Sequence, residues 1–425
     1  MSEHEQAPQQ ERHVILGLGY VGLPLAQEAT RSGLLIVGLD SSDRVVSGLN
    51  AGRSHVDDLS GEAVAEMLAA GFTATKDPAV VADAATVVIC VPTPLSEDGG
   101  PDLSAVRGAG EAVARHLRPG TLVVLESTTY PGTTEEFLLP ILEAGSGLRA
   151  GVDFNLAFSP ERIDPGNATF GVRNTPKVVG GFTPACTERA AAFYGRFVDQ
   201  VVRARGTREA EMAKLLENTY RHVNIAMVNE MAQFCHELGI DLWNVIDLAK
   251  SKPFGFQAFY PGPGVGGHCI PIDPNYLSHR VKQQLGHPFR FVELAQEINA
   301  SMPSYVARRA QDLLNDNRQA INGATVLMLG VTYKPNIGDD RESPAKPLAK
   351  RLKEMGALVS FHDPHIAHWN VEGVERVEGD LLQAVADADL VILVQNHRGY
   401  DVPLLAGHAR LFLDTRGVTD GAGRL

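Results

Sequence analysis

Apolar residues recur along this chain with two different periods, and the change of period divides it into three regions. In the first, short and largely apolar runs at 13–16, 34–39, 86–91, 121–125 and 154–158 alternate with segments of helical period. Such runs predict strands buried on both faces, as in a parallel sheet covered by helices. From Thr207 the period changes. Met212, Leu216, Tyr220, Val223, Met227, Met231, Phe234 and Leu238 follow one another at intervals of four or three. They predict one helix of about thirty residues with a single apolar stripe, ended at Gly239. Segments 242–250 and 291–314 are also expected to be helical. Near Gln319 the strand-length runs return, at 323–330, 357–363, 389–394 and 409–414. The expected fold is α/β, with two Rossmann-like doubly wound domains joined by a long central helix and a small all-helical middle domain. The boundaries read as 1–206, 207–318 and 319–425.

Composition narrows the classes of partner. With 425 residues and 44% hydrophobic content the chain fills two or three domains, and no apolar run reaches the length of a membrane span. A net charge of −13 argues against nucleic acid and anionic membranes as partners. A phosphate-bearing ligand must therefore be held by local groups. Cys90, Cys186, Cys235 and Cys269 show no metal-type spacing, so no metal is expected. Residues 1–11 are polar and lack a secretory apolar segment, so the expected location is cytoplasmic.

The first strand runs into Gly17-x-Gly19-x-x-Gly22, then a helical segment, then a second strand ending in Asp40. Glycines, helix and terminal acid in this order read as a dinucleotide site. Gly17 permits the turn, Gly19 lets backbone N–H groups reach a pyrophosphate, and Gly22 lets the helix pack closely. Asp40 suits the ribose hydroxyls and repels a 2′-phosphate, which favours NAD. Arg44 nearby is suited to a phosphate or to stacking on adenine. Ligands of doubly wound sheets collect at the carboxyl ends of strands, where Thr93, Thr128, Glu161 and Arg162 fall; the hydroxyls also fit turns.

The segment 260–274 holds four prolines and four glycines in fifteen residues. That composition predicts a tight loop which lets a ligand approach its backbone. It carries a thiol, Cys269, and a carboxylate, Asp273. Lys214 and Asn218 lie off the apolar stripe, one helical turn apart, either as solvated residues or facing this loop. Lys334 and Arg341, in a loop after the first strand of the third region, are candidate phosphate ligands or plain solvated cations.

Taken together these segments resemble the UDP-glucose/GDP-mannose dehydrogenase family. The resemblance rests on Gly-Leu-Gly-Tyr-Val-Gly at 17–22, Val-Pro-Thr-Pro at 91–94, Glu-Ser-Thr-Thr-Tyr-Pro-Gly at 126–132 and Ser-Pro-Glu-Arg at 159–162. Lys-Leu-Leu-Glu-Asn at 214–218, Gly-Gly-His-Cys-Ile-Pro-Ile-Asp at 266–273 and Arg-Glu-Ser-Pro at 341–344 complete it. Within the family the 126–135 and 260–274 segments are most similar to members that oxidise UDP-N-acetylglucosamine at C6. The resemblance implies a four-electron oxidation of a UDP-sugar C6 hydroxymethyl to a carboxylate, using NAD, with Cys269 carrying thiohemiacetal and thioester intermediates. It implies Lys214 and Asn218 as oxyanion stabilisers, Asp273 as the group orienting Lys214 or a water, and Glu161 and Thr128 as activators of the hydrolytic water. NAD would meet Gly17, Gly19, Tyr20, Val21, Gly22, Asp40, Arg44, Thr93, Thr128 and Arg341. The UDP-sugar would meet Glu161, Arg162, Lys214, Asn218, Phe259, Tyr260, Gly262, Gly266, Tyr333 and Lys334.

UDP-N-acetylmannosamine and UDP-glucose remain alternative substrates with the same catalytic residues. UDP-glucose members can carry an arginine upstream of the cysteine, and none occurs here between Gly239 and Arg280. Two further readings stay open: a two-electron dehydrogenase of the 6-phosphogluconate type, and an NAD-sensing module without catalysis. Neither uses Cys269. The apolar length of the central helix exceeds what a linker needs, so it is expected to pair with a second copy as a homodimer.

Overall fold

A computed structural model describes residues 11–56, 59–96, 100–164, 167, 169–267, 270–420 and 423–425. The chain divides into two compact units, 1–217 and 218–425.

In the first unit the order is β1 (Arg12–Leu16), α1 (Gly22–Arg31), β2 (Leu35–Leu39), α2 (Asp43–Asn50), α3 (Gly61–Ala69), β3 (Thr73–Thr75), β4 (Ala84–Ile89) and α4 (Ser104–Ala114). Then follow β5 (Leu122–Leu125), α5 (Leu139–Ser146), β6 (Asn155–Phe158), β7 (Lys177–Gly181), α6 (Pro184–Tyr194), β8 (Val201–Arg203) and the start of α7 (Thr207–Glu237). Among the described residues the strands form an eight-stranded sheet in the order β3-β2-β1-β4-β5-β6-β7-β8. Pairing is parallel from β3 to β6, the arrangement expected where apolar strands are covered by helices on both faces. At β6 it reverses: β7 runs antiparallel to β6, and β8 runs parallel to β7. Neither β7 nor β8 is among the strands that the apolar runs predict. Along β1 the pleat sends Ile15 into a core with Leu23, Ile36 and Phe72, and sends Val14 and Leu16 into a second core with Val87 and Ile89.

Helix ends follow local chemistry. Ser42, Ser60 and Thr183 each accept a backbone N–H at the start of α2, α3 and α6. Gly147 ends α5 at a φ of 71°, a left-handed conformation that glycine adopts without strain.

The second unit contains the rest of α7, then α8 (Leu242–Lys250), α9 (Asp273–Leu285), α10 (Arg290–Asp316), β9 (Thr325–Leu329), α11 (Ala345–Glu354) and β10 (Leu358–His362). It closes with β11 (Glu375–Arg376), α12 (Leu381–Asp387), β12 (Leu390–Leu393), α13 (Val402–His408) and β13 (Phe412–Asp414). Among the described residues its strands form a five-stranded parallel sheet, β11-β10-β9-β12-β13. Val326 and Met328 pack against α10 and α11, while Leu327 and Leu329 face Val385 and Leu405 on the other side. The proline-rich loop ends two residues earlier than its composition suggests. Asp273 opens α9, because Pro274 in a first turn has no intrahelical bond to lose. Among the described residues no helix is long and apolar enough to cross a membrane, and no His/Cys/Asp/Glu group could hold a metal.

Candidate active site

The glycine turn after β1 has the geometry that its three glycines predict. Gly17 sits at a φ of 92°, and a Cβ there would lie 2.7 Å from the Cys90 carbonyl oxygen. A Cβ on Gly22 would lie 1.9 Å from the Gly17 carbonyl oxygen, so α1 can start this close to the turn only with glycine. Gly19 instead faces open space, with no atom within 4 Å of its would-be Cβ. Val21 stands at the N-cap of α1 without a side-chain cap, and Tyr20 before it is exposed. That leaves helix N–H groups for an anion. At the end of β2, Asp40 accepts Leu18 N at Oδ2 and Ser42 N at Oδ1, each at 2.9 Å. It braces the turn as well as pointing an acid at it. Arg44 is exposed in the first turn of α2. These residues fit a bound dinucleotide.

The loops after β4 and β5 are tied together. Thr93 Oγ1 donates to the Thr128 carbonyl at 2.7 Å, and Ser127 Oγ donates to the Val91 carbonyl at 2.7 Å. Glu211 of α7 clamps the next turn, accepting Gly132 N at 2.5 Å, Thr134 N at 2.9 Å and Thr134 Oγ1 at 2.7 Å. Burial pushes the Glu211 carboxyl up to about 7, against these hydrogen bonds. One turn further along α7, Lys214 is buried too.

Glu161 stands in a charged cluster that sequence reasoning missed. Lys177 Nζ lies 3.0 Å from Glu126 Oε2 and 3.7 Å from Glu161 Oε2, and Tyr194 Oη donates to the other oxygen of Glu126. Burial pushes the Glu126 carboxyl up while Lys177 opposes it; the Lys177 ammonium is held above its ordinary value by the two carboxylates despite burial. Glu161 accepts Ile163 N through Oε1, and its buried Oε2 has no hydrogen bond among the described residues. Arg162, expected at the substrate, pairs with Glu217 at 2.7 Å and donates to the Pro176 carbonyl at 2.7 Å. It holds α7 against the Glu161 loop.

In the second unit Asn218 and Asp273 are both buried and hydrogen-bonded to each other. Cys269 lies outside the described residues; Gly262, Gly264, Gly266 and Gly267 before it lie within them. Gly262 N donates to Asn229 Oδ1 at 2.9 Å, and Asn229 Nδ2 donates to Asn299 Oδ1 at 2.9 Å. Asn229 and Asn299 were not anticipated, since each reads as one more polar residue of a helix. Gly264, at a φ of 133°, would place a Cβ 3.3 Å from the Asn299 carbonyl oxygen. That carbonyl faces Pro303, which has no N–H to offer it. A Cβ on Gly266 would lie 2.7 Å from Tyr333 Cβ and 2.6 Å from the Glu342 carbonyl oxygen. The loop therefore packs directly on the segment that carries Lys334 and Arg341. Arg341 is paired with Asp339 at 2.6 Å.

Tyr260 stacks on Trp243, with ring centroids 5.5 Å apart and planes 15° apart; Phe259 meets Tyr220 edge-on. A cavity of about 410 Å³ is lined by Trp243, Asp247, Tyr260, Pro261, Arg416, Gly417 and Arg424. Burial lowers the Arg416 guanidinium to about 10, which leaves it charged at neutral pH, and its Nε donates to the Val394 carbonyl at 2.7 Å. Arg416 was missed, although it follows the carboxyl end of β13 and the strand-end rule pointed to it.

Comparison with known proteins follows this division of labour. Residues 11–198 match the profile of the UDP-glucose/GDP-mannose dehydrogenase family NAD binding domain, 208–301 its central domain and 327–421 its UDP binding domain. UDP-N-acetyl-D-mannosamine dehydrogenase of Salmonella typhi is 34% identical over 95% of this chain and 98% of its own. NDP-N-acetyl-D-galactosaminuronic acid dehydrogenase of Ralstonia solanacearum is 33% identical over 95% of each chain. The structure of a UDP-D-ManNAc dehydrogenase from Pyrococcus horikoshii superposes with a TM-score of 0.87 at 32% identity, covering 97% of this chain and 96% of that one.

Proposed function

Since this chain belongs to the UDP-glucose/GDP-mannose dehydrogenase family and is an NAD-dependent UDP-sugar dehydrogenase, we propose that it oxidises C6 of a UDP-linked 2-acetamido sugar, UDP-N-acetyl-D-mannosamine, to the uronate. The observation that supports the sugar assignment is the near-full-length relative named for UDP-N-acetyl-D-mannosamine; the second relative, named for an N-acetyl-D-galactosaminuronic acid, shares the N-acetyl group. UDP-N-acetylglucosamine is the second reading, favoured by the sequences of the 126–135 and 260–274 segments. UDP-glucose is disfavoured by the missing arginine between Gly239 and Arg280.

The turn at Gly17, Gly19, Tyr20, Val21 and Gly22, together with Asp40, Arg44, Thr93, Thr128 and Arg341, would hold NAD⁺, which when bound would supply the hydride acceptor for each of two oxidations. The first oxidation leaves an aldehyde, and the Cys269 sulfur forms a bond to its carbon, giving a thiohemiacetal. The second leaves a thioester. Water then adds to that carbon, the C–S bond breaks, and the products are carboxylate and thiolate. Lys214 and Asn218 hold the negative oxygen at C6 in each step. Glu161, whose Oε2 has no hydrogen bond among the described residues, takes the proton of the attacking water beside Thr128. Lys334 holds the diphosphate, and Phe259, Tyr260, Gly262, Gly266 and Tyr333 hold the nucleotide sugar. Asp273 keeps Asn218 in place. Arg162 acts on the site by holding α7.

The test is to supply NAD⁺ with UDP-N-acetylmannosamine, UDP-N-acetylglucosamine and UDP-glucose in turn, counting NADH per sugar consumed. Two NADH per sugar with the mannosamine compound is expected, and none from Cys269→Ala. One NADH per sugar would return the two-electron reading. No turnover with any sugar would leave NAD sensing. An active Cys269→Ala enzyme would remove the thioester.

A further inference from the structure

Lys334 stands in the connection between β9 and α11, and this connection is held by two buried groups that no step of the reaction uses. His397 and Asp363 follow the carboxyl ends of β12 and β10, and both are buried with Thr332. Asn336 N donates to His397 Nδ1 at 2.9 Å. That nitrogen therefore accepts, and the ring hydrogen belongs on Nε2, which is 3.1 Å from Asp363 Oδ2. Asp363 also accepts Val331 N at 2.7 Å and His365 N at 2.8 Å. Burial raises the Asp363 carboxyl, but its hydrogen bonds with His397 and Val331 outweigh this and hold it below the ordinary range. Thr332 Oγ1 donates to the Lys334 carbonyl at 2.8 Å, and Arg398 N donates to Asn336 Oδ1 at 2.7 Å. Asn336 has a φ of 64°, a left-handed conformation that a non-glycine residue keeps only when its surroundings fix it. Here the fixing bonds come from His397 and Arg398.

The same connection seats the loop of the nucleophile. Gly267 N donates to the Arg341 carbonyl at 3.3 Å, Tyr333 N donates to the Asp339 carbonyl at 3.1 Å, and Cys269 is two residues beyond Gly267. The Arg341 half is secured separately, by Asp339. We propose that His397 and Asp363 are the positioning pair of the UDP site: Asp363 orients the His397 ring, and His397 Nδ1 fixes the backbone that presents Lys334 to the diphosphate. Neither residue touches substrate. This rests on the assignment of Lys334 to the diphosphate, and the experiment separates the two claims.

UDP alone is the probe, titrated calorimetrically into the full-length protein and four variants, with NAD⁺ affinity and thermal midpoint measured in parallel. Lys334→Ala tests the assignment and should weaken UDP strongly; unchanged UDP affinity would overturn that assignment. His397→Gln keeps a donor towards Asp363 but has no acceptor at the Nδ1 position. It should weaken UDP about tenfold, the size of one lost buried hydrogen bond, with NAD⁺ affinity retained. His397→Asn puts an oxygen at the Nδ1 position and should recover most of the loss. Thr332→Val, nearly isosteric, removes the bond to the Lys334 carbonyl and should weaken UDP severalfold even if the His397 variants fold poorly. The pair has no positioning role if Lys334→Ala loses UDP while His397→Gln and Thr332→Val keep it. The proposal also fails if Gln and Asn at 397 lose UDP, NAD⁺ and thermal stability alike.

Discussion

Asn218 of α7 donates its side-chain amide to Oδ2 of Asp273, the first residue of α9, at 2.5 Å. An ionised carboxylate only accepts, so the pairing decides which end of the Asn218 amide faces Asp273. It also places a carboxylate at a helix N-terminus, where the helix dipole favours it. Asn218→Ala should leave a buried carboxylate short of one donor. A stability loss of about 1–3 kcal/mol is expected by denaturant unfolding. The loss of an oxyanion donor should in addition lower kcat by a factor of about 10² or more. An alanine variant with unchanged midpoint and kcat would show that the pair carries neither role.

Asp40 has two tasks, because both of its oxygens accept backbone N–H groups. The unmodified enzyme should use NAD⁺ far better than NADP⁺. Asp40→Ala should narrow the ratio of kcat/KM values, chiefly by impairing NAD⁺, since the glycine turn loses its brace. Equal use of both cofactors by the unmodified enzyme would refute the reading of the β2 end.

The stripe read from the period of α7 is exposed at Met212, Leu216, Tyr220, Met227, Phe234 and Leu238; Leu216 is 61% and Leu238 67% accessible. The helix buries a neighbouring face instead, through Leu215, Ala226, Ala232 and Cys235. We propose that a second copy covers the stripe. Sedimentation should find a dimer at micromolar concentration, and Met227→Glu with Phe234→Glu should yield a folded monomer. A monomeric unmodified protein would contradict this.

Stability should respond to pH in two opposed ways. Burial lowers His222 to about 4, so as pH falls from 6.5 towards 4 the unfolded chain takes up a proton that the folded chain refuses. Stability of up to about 3 kcal/mol is lost across that window, and His222→Asn should remove this part of the acid sensitivity. Glu211, raised from 4.5 to about 7, works the other way. Its contribution is fully present below 4.5 and fades as pH rises through 7, by up to about 3 kcal/mol. In Glu211→Gln the change in stability between pH 5 and pH 8 should lack this decline; an unaltered pH profile would show that Glu211 does not titrate there.

Where neighbours in sequence are neighbours in space, the residues alone were sufficient. The turn at 17–22, the helix from Thr207 and the strands β1, β2, β4, β5, β6, β9, β10, β12 and β13 each follow from rules that act over a few residues, and glycine sterics at Gly17 and Gly22 leave little choice. The groups that tertiary structure alone assembled are buried and polar, and their partners are far along the chain. Glu126 meets Lys177 51 residues away, Gly132 meets Glu211 79 away, and Asp363 meets His397 34 away. A buried charge must find a partner, but no periodicity says which one, because desolvation is satisfied by any donor the folded chain brings near. The reversal at β7 has the same origin: a strand's direction is set by its pairing with a distant neighbour, and a short apolar run pairs equally well either way.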